Sequence, residues 1–220
     1  MNAILEQIGA RFPLTALDPG AYAAFKAGPL SIQLDWYRAE GLGNVSFLHG
    51  KAMGGLMQMD TLVVNALMRD VPLFSYDYIA AMGNHTMLVE YYDTLLHREA
   101  FDTAPLLAVK TSIAPLTDNP LGEHWYDDIK LAPSFSKKVK KKDLPGLNGA
   151  FTAALDAYLT LAEKAPLLPE EAQAEKREKS AAYVNGLLEK GGPSTDAFVK
   201  ALGPDKTRNL FTRIVFGSEG

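Results

Sequence analysis

The chain of 220 residues contains no cysteine. That absence removes disulfides, thiolate zinc sites, iron–sulfur ligation and cysteine nucleophiles together. It fits a cytoplasmic protein, which is the expected location. An excess of positive charge is missing too. Twenty-two Lys and Arg against 26 Asp and Glu leave a net charge of −4, which argues against a non-specific nucleic-acid binder. No stretch approaches the roughly 18 apolar residues that a membrane span needs. The segment Met1–Phe12 carries Glu6 and Arg11 and lacks the basic start and apolar run of a secretory signal. Dinucleotide, Walker, nucleophile-elbow, zinc-protease and EF-hand motifs are absent. The histidines (His49, His85, His97 and His124) are too scattered to suggest a metal site, and none is expected. What remains is ordinary globular composition, 47% hydrophobic and 22% charged, with no internal repeat. At about 150 residues per domain, a single domain over 1–220 is expected.

The pattern along the chain changes twice. Ile4, Ile8 and Phe12 fall at helical spacing before Pro13. A second short helix is expected from Pro19 to Lys26. Residues 30–93 are rich in β-branched and aromatic residues. Strands are expected at Ser31–Arg38, Val45–Lys51, Leu56–Met68, Val71–Ala80 and Thr86–Asp93, separated by turns at Gly41–Asn44, Gly54-Gly55, Arg69-Asp70 and Gly83-Asn84. Such a meander makes an antiparallel sheet. Val71–Ala80 is apolar on both faces, so it belongs in the middle of a covered sheet. Four prolines break 95–135 into short elements. Lys137–Lys142 places five lysines in six residues, read as a solvated loop or a local positive patch. The last third is helical: a stripe through Leu147, Phe151, Leu155, Tyr158 and Leu159, a charged helix Glu170–Lys190, a short helix to Leu202, and a final helix opened by Pro204. Strands first and helices last predict an α+β plan.

Asp77 is the residue this pattern singles out. Its carboxyl sits in a strand that is apolar on both faces, and burial raises an acid's pKa. A carboxylic acid kept protonated near neutrality is a ready proton donor. The competing reading is a buried Asp satisfied by backbone amides or a neighbouring base. Asn65, an amide in the row of Met57, Met59, Val63 and Leu67, either meets a polar ligand edge or bonds a loop. Asp60, Glu90 and Asp93 are further strand carboxylates, and Glu90 and Asp93 are expected to be solvated.

At these residues the sequence resembles the ferredoxin-dependent bilin reductases, which reduce linear tetrapyrroles, and more remotely red chlorophyll catabolite reductase. Val71-Pro-Leu-Phe-Ser-Tyr-Asp77-Tyr-Ile-Ala80 is similar to the family's proline, hydrophobics, small residues and catalytic Asp at the head of an apolar strand, with Ser75 where the family has Gly. Gly83–Asp93 resembles the hairpin that follows. Leu62–Met68 resembles the strand whose Asn or His faces the bilin. Ala132–Glu170 resembles the Pro-Ser start and long helix. Tyr183 to Phe216 resembles the closing signature, including Pro193, Gly203-Pro204, Thr207 and Val215-Phe216. The family's second acidic residue and propionate anchor are missing before Pro193, where Lys190-Gly191-Gly192 stands. The family's glutamate on an earlier strand has no counterpart, His49 and Lys51 being the nearest polar residues.

The resemblance implies a three-layer α/β/α sandwich with a central, largely antiparallel sheet and the substrate between sheet and C-terminal helices. It implies a reductase with no bound cofactor, receiving electrons one at a time from reduced ferredoxin and working through substrate radicals. Asp77 would be the catalytic proton donor. Asn65, Met57, Met59, Val63, His49, Tyr183 and Leu187 would contact the bilin. Lys137, Lys138, Lys140, Lys141 and Lys142 would receive the acidic ferredoxin. The expected partners are thus a linear tetrapyrrole and ferredoxin, with no nucleic acid, membrane or metal. The alternatives are a tetrapyrrole carrier without catalysis and an interaction protein without a ligand.

Overall fold

Alternating apolar residues and tight turns lay down a meander whose two faces take different helices. A computed structural model of the chain describes residues 3–219. In chain order it contains α1 (Ala3–Gly9), β1 (Leu14–Leu17), β2 (Ala24–Ala27), β3 (Leu30–Ala39), β4 (Gly43–Ala52), β5 (Met57–Asn65), β6 (Leu73–Ala81), β7 (Asn84–Tyr92), α2 (Ala104–Ser112), β8 (Phe135–Lys140), α3 (Leu144–Lys164), α4 (Glu170–Lys190), α5 (Pro193–Leu202) and α6 (Pro204–Asn209), which runs into a π-helical turn, Leu210–Val215. The strands form one antiparallel sheet in the order β1-β3-β4-β5-β6-β7-β8, with β2 also paired to β3.

The β6–β7 hairpin fixes the register that matters. Met82 and Gly83 both have left-handed φ, 51° and 73°, as a two-residue hairpin turn of the primed type requires. Ala81 then opposes Asn84, Asp77 opposes Leu88 and Ser75 opposes Glu90.

Side chains alternate across each strand, so the sheet has two apolar faces. On one, Phe47, Leu62, Phe74, Tyr76, Val89 and Tyr91 pack under α1 and α3. The Tyr76 and Phe151 rings lie 3.9 Å apart, and the Tyr158 hydroxyl donates to the Pro72 carbonyl at 3.0 Å. On the other, Leu34, Leu48, Val63, Leu73 and Tyr92 face α4, α5 and the C-terminal turn. The result is a helix–sheet–helix sandwich of the α+β class, as the resemblance implied.

The C-terminal turn is held by polar side chains from the sheet. Asn44 Nδ2 donates to the carbonyls of Ile214 and Val215, at 2.9 and 3.0 Å. Ser46 Oγ donates to Val215 at 2.8 Å, and Asn65 Nδ2 to Phe216 at 2.7 Å. These bonds satisfy carbonyls that a helix end leaves without partners. Gly217 follows at φ 59°, where an added Cβ would come within 2.6 Å of the Asn44 side chain, so a larger residue would disturb this clamp.

Two expectations are corrected, and one strand is added. Residues 19–26 are not a helix. Gly20–Tyr22 makes one 3₁₀ turn, and Ala24–Ala27 is an edge strand whose Phe25 packs against Phe198 with rings 5.7 Å apart. Leu14–Leu17 adds a second short strand beyond Pro13. Lys137–Lys142 is not a loop throughout, because β8 continues to Lys140. Phe135, Lys137 and Val139 point inward, and Lys138 and Lys140 point outward.

Candidate functional site

Between the second face and its helices lies a cavity of about 330 Å³, at the small end of ligand sites. Its floor is made by same-face residues of adjacent strands: Leu48 of β4, Met59, Thr61 and Val63 of β5, Ser75, Asp77 and Ile79 of β6, and Thr86, Leu88, Glu90 and Tyr92 of β7. Its roof is Tyr183 and Leu187 of α4, Thr195 and Phe198 of α5, and Phe211, Val215 and Phe216 at the C-terminal end, with Tyr126 and Gly192 at the side. The two helices and the π-helical turn therefore close over one patch of sheet.

Asp77 stands in that floor. Its register partner Thr61 donates a hydroxyl bond of 2.5 Å to Oδ1. The hydrogen-bond partner is thus an alcohol rather than a base. Desolvation pushes the carboxyl up to about 6 from its ordinary 3.8. The Thr61 bond opposes this by favouring the anion, and the negative charge of Glu90 adds to it. Part of the side chain can be touched by a sphere the size of water, because it faces the cavity. That space is a half-open cleft walled by apolar side chains of sheet and helices, which thins the water around the carboxyl.

Glu90 is the second carboxylate of the cavity and is buried. Tyr92 Oη donates to its Oε2 at 2.7 Å, and Lys130 Nζ lies 3.3 Å from Oε1. Lys130 also pairs with Asp127 at 2.6 Å. Burial works against the lysine's charge, but the two carboxylates outweigh it and raise its pKa. Around this pair stand three phenols. Tyr92 and Tyr183 stack at 4.4 Å, and Tyr126 meets Tyr92 edge-on at 5.8 Å. Desolvation raises all three pKa values, that of Tyr126 to about 12. They remain neutral hydroxyls at physiological pH. A largely apolar chamber with two carboxyl groups and neutral phenol donors suits a flat, largely apolar ligand with polar edges.

The structure brings together Asp77, Met59, Val63, Tyr183 and Leu187 from the expected set. It does not bring Asn65, His49, Met57 or Lys137 to the expected roles. Asn65 is fully buried and consumed by the Phe216 carbonyl and by Ser180 Oγ, which donates to its Oδ1 at 3.0 Å. It is a structural amide. His49 points to the opposite face, where its Nδ1 pairs with Asp60, which also accepts a 2.8 Å bond from Gln58. Met57 shares the cavity's face but lies beyond its lining. Lys137 is buried, with Nζ bonded to the Leu116 carbonyl at 2.9 Å and to Asp118 at 2.7 Å. Lys138, Lys140, Lys141 and Lys142 are exposed. Glu90 is a correction in the other direction, since it was expected in solvent. Asp93 lies just past β7, where it pairs with Arg98 at 2.9 Å and caps the Leu95 amide. Among the described residues no three His, Asp or Glu side chains converge on a metal-sized space.

No family model matches the chain, and no curated protein sequence matches it. Solved structures do. The crystal structure of phytochromobilin synthase from tomato, determined in complex with biliverdin, superposes with a TM-score of 0.79 over 98% of this chain and 81% of that one, at 14% identity. The chain has the fold of phytochromobilin synthase. At that identity the likeness speaks for the architecture, and the chemistry has to be argued from the residues in the cavity.

Proposed function

We propose that this protein reduces a linear tetrapyrrole bound between the sheet and the C-terminal helices. The observation that carries the reading is the protonatable Asp77 in a largely apolar, half-open cavity, within a fold that in the tomato synthase is seen with biliverdin. Saturating one double bond takes two electrons and two protons. Electrons arrive singly from reduced ferredoxin: the first leaves a radical anion, which a proton converts to a neutral radical, and the second leaves a closed-shell anion, which a second proton neutralises. A net charge is costly in a dry cavity unless it is neutralised. Asp77 supplies the proton, and its carboxylate is reprotonated from solvent before the next electron. Tyr183 and Leu187 close the roof, and Met59 and Val63 form the floor. The cavity is small for an opened porphyrin, so the ligand's propionate arms extend through its mouth.

Gly192 favours a second reading. It lines the cavity at the position where the resembling family carries an acid, and it supplies no proton. A carrier that binds the tetrapyrrole without reducing it would need none. Anaerobic titration with several linear tetrapyrroles, with and without a ferredoxin-reducing system, separates the two. A reductase shows a spectral change on binding and a further change on electron supply. A carrier shows only the first. No spectral change on mixing would refute both.

A further inference from the structure

The three most exposed large hydrophobic side chains among the described residues are Met82 at 87%, Leu56 at 73% and Met53 at 61%. They gather at one end of the sheet. Met57 pairs with Ala81, so the β4–β5 turn holding Met53 and Leu56 lies beside the β6–β7 turn holding Met82. Asn84 pairs with Lys140, which brings Lys140, Lys141 and Lys142 to the same end. The β2–β3 turn, Gly28-Pro29, and exposed Lys51 complete it. Residues 27–30, 52–56, 82–83 and 140–142 contain no carboxylate, and the exposed Asp143 that ends the Lys141–Asp143 turn is the one acid next to them in the chain.

Nothing in the fold calls for these side chains. Met53 and Met82 occupy left-handed backbone, φ 52° and 51°, where glycine or asparagine would be less strained. Single methionine and leucine side chains raised on separate turns make no continuous flat patch of the roughly 800 Å² that a stable protein partner covers. Protruding apolar tips ringed by lysines are instead the two signals that hold a protein on a bilayer surface: burial of apolar atoms below the headgroups and attraction to anionic lipid.

We propose that this end of the sheet docks on an anionic lipid bilayer, with Met53, Leu56 and Met82 inserted below the headgroups and Lys51, Lys140, Lys141 and Lys142 on lipid phosphate and carboxylate groups. No helix of the described chain is long and apolar enough to cross a membrane, so the contact is with one leaflet. The cavity floor reaches Met59, Ile79 and Thr86, one same-face residue short of the row Met57, Ala81 and Asn84 at this end. A sparingly soluble ligand held in the leaflet would have a short route to the cavity; that consequence rests on the tetrapyrrole reading, whereas the docking does not.

The test is flotation of the full chain with extruded vesicles of phosphatidylcholine, alone or with about one-third phosphatidylserine. Wild type floats with the anionic vesicles and only weakly, by its apolar contacts, with the neutral ones. The triple variant Lys140→Gln, Lys141→Gln, Lys142→Gln weakens this by about fivefold per lysine. The variant Met53→Ser, Leu56→Ser, Met82→Ser keeps a salt-sensitive residue of binding and loses what survives high salt, by about tenfold or more. All six side chains are exposed, and unchanged thermal melts confirm folding. Absence of binding to anionic vesicles would overturn the proposal. So would unaltered binding by the apolar variant, or capture of reduced ferredoxin at these lysines without vesicle binding. No arm uses a tetrapyrrole, so failure here leaves the proposed reduction standing.

Discussion

Replacing Asp77 with Asn should make the ligand-free protein more stable at neutral pH, and the gain should vanish in acid. The Asp77 carboxyl titrates near 6 in the fold against 3.8 when free. Between those values the native state binds more protons than the unfolded one, so stability falls as pH rises through the window. The difference of about two pKa units corresponds to about 3 kcal/mol at about 1.4 kcal/mol each, less whatever cavity water restores to the anion. The neutral amide is near-isosteric and can still accept from Thr61 Oγ1, so the variant escapes this cost. Urea unfolding of both proteins from pH 4 to pH 8 measures it. The midpoints should converge near pH 4 and separate in favour of Asp77→Asn above pH 6.5. Parallel profiles would show that Asp77 is not desolvated and would remove the physical basis for its role as proton donor.

Thr61→Val removes the bond that favours the Asp77 anion, so the carboxyl's infrared titration should move to higher pH; an unchanged midpoint would show the bond to be inconsequential. Asn65→Ala should cost about 1–3 kcal/mol by orphaning the Phe216 carbonyl and Ser180, seen in the denaturation midpoint. Lys176 is fully buried beside Asp70 at 3.3 Å, and burial lowers its pKa to about 8. The unfolded state therefore binds more protons between about pH 8 and 10.4, and wild type should gain stability with rising pH there, by up to about 3 kcal/mol relative to Lys176→Met. Parallel curves over that range would refute the assignment.

Much of this was legible because a meander writes its own pattern. Glycine turns marked the hairpins, and an aspartate among apolar neighbours on both faces of β6 had to lie where water is scarce. The misses have physical causes. Ala24–Ala27 is four residues long, and its strand state comes from pairing with β3, which local spacing between Pro19 and Gly28 does not encode. The face of His49 depends on how many residues the turn at 53–56 consumes, since a shift of one residue reverses every side chain. Glu90 could have been found: two residues at the β6–β7 turn set Ser75 opposite Glu90, which puts it on the Asp77 face. Lys137 was hidden by its charge, although Phe135 and Val139 on either side show the inward row. Asn65 was rightly suspected of burial, but its partners lie at Ser180 and Phe216, far along the chain.

The most direct test is an anaerobic single turnover of biliverdin by reduced ferredoxin, followed by absorption and electron paramagnetic resonance in wild type and Asp77→Asn. The account predicts that both bind the pigment, that wild type completes the reduction, and that the variant stops at an unprotonated one-electron radical. Equal rates of product formation in the two proteins would contradict it.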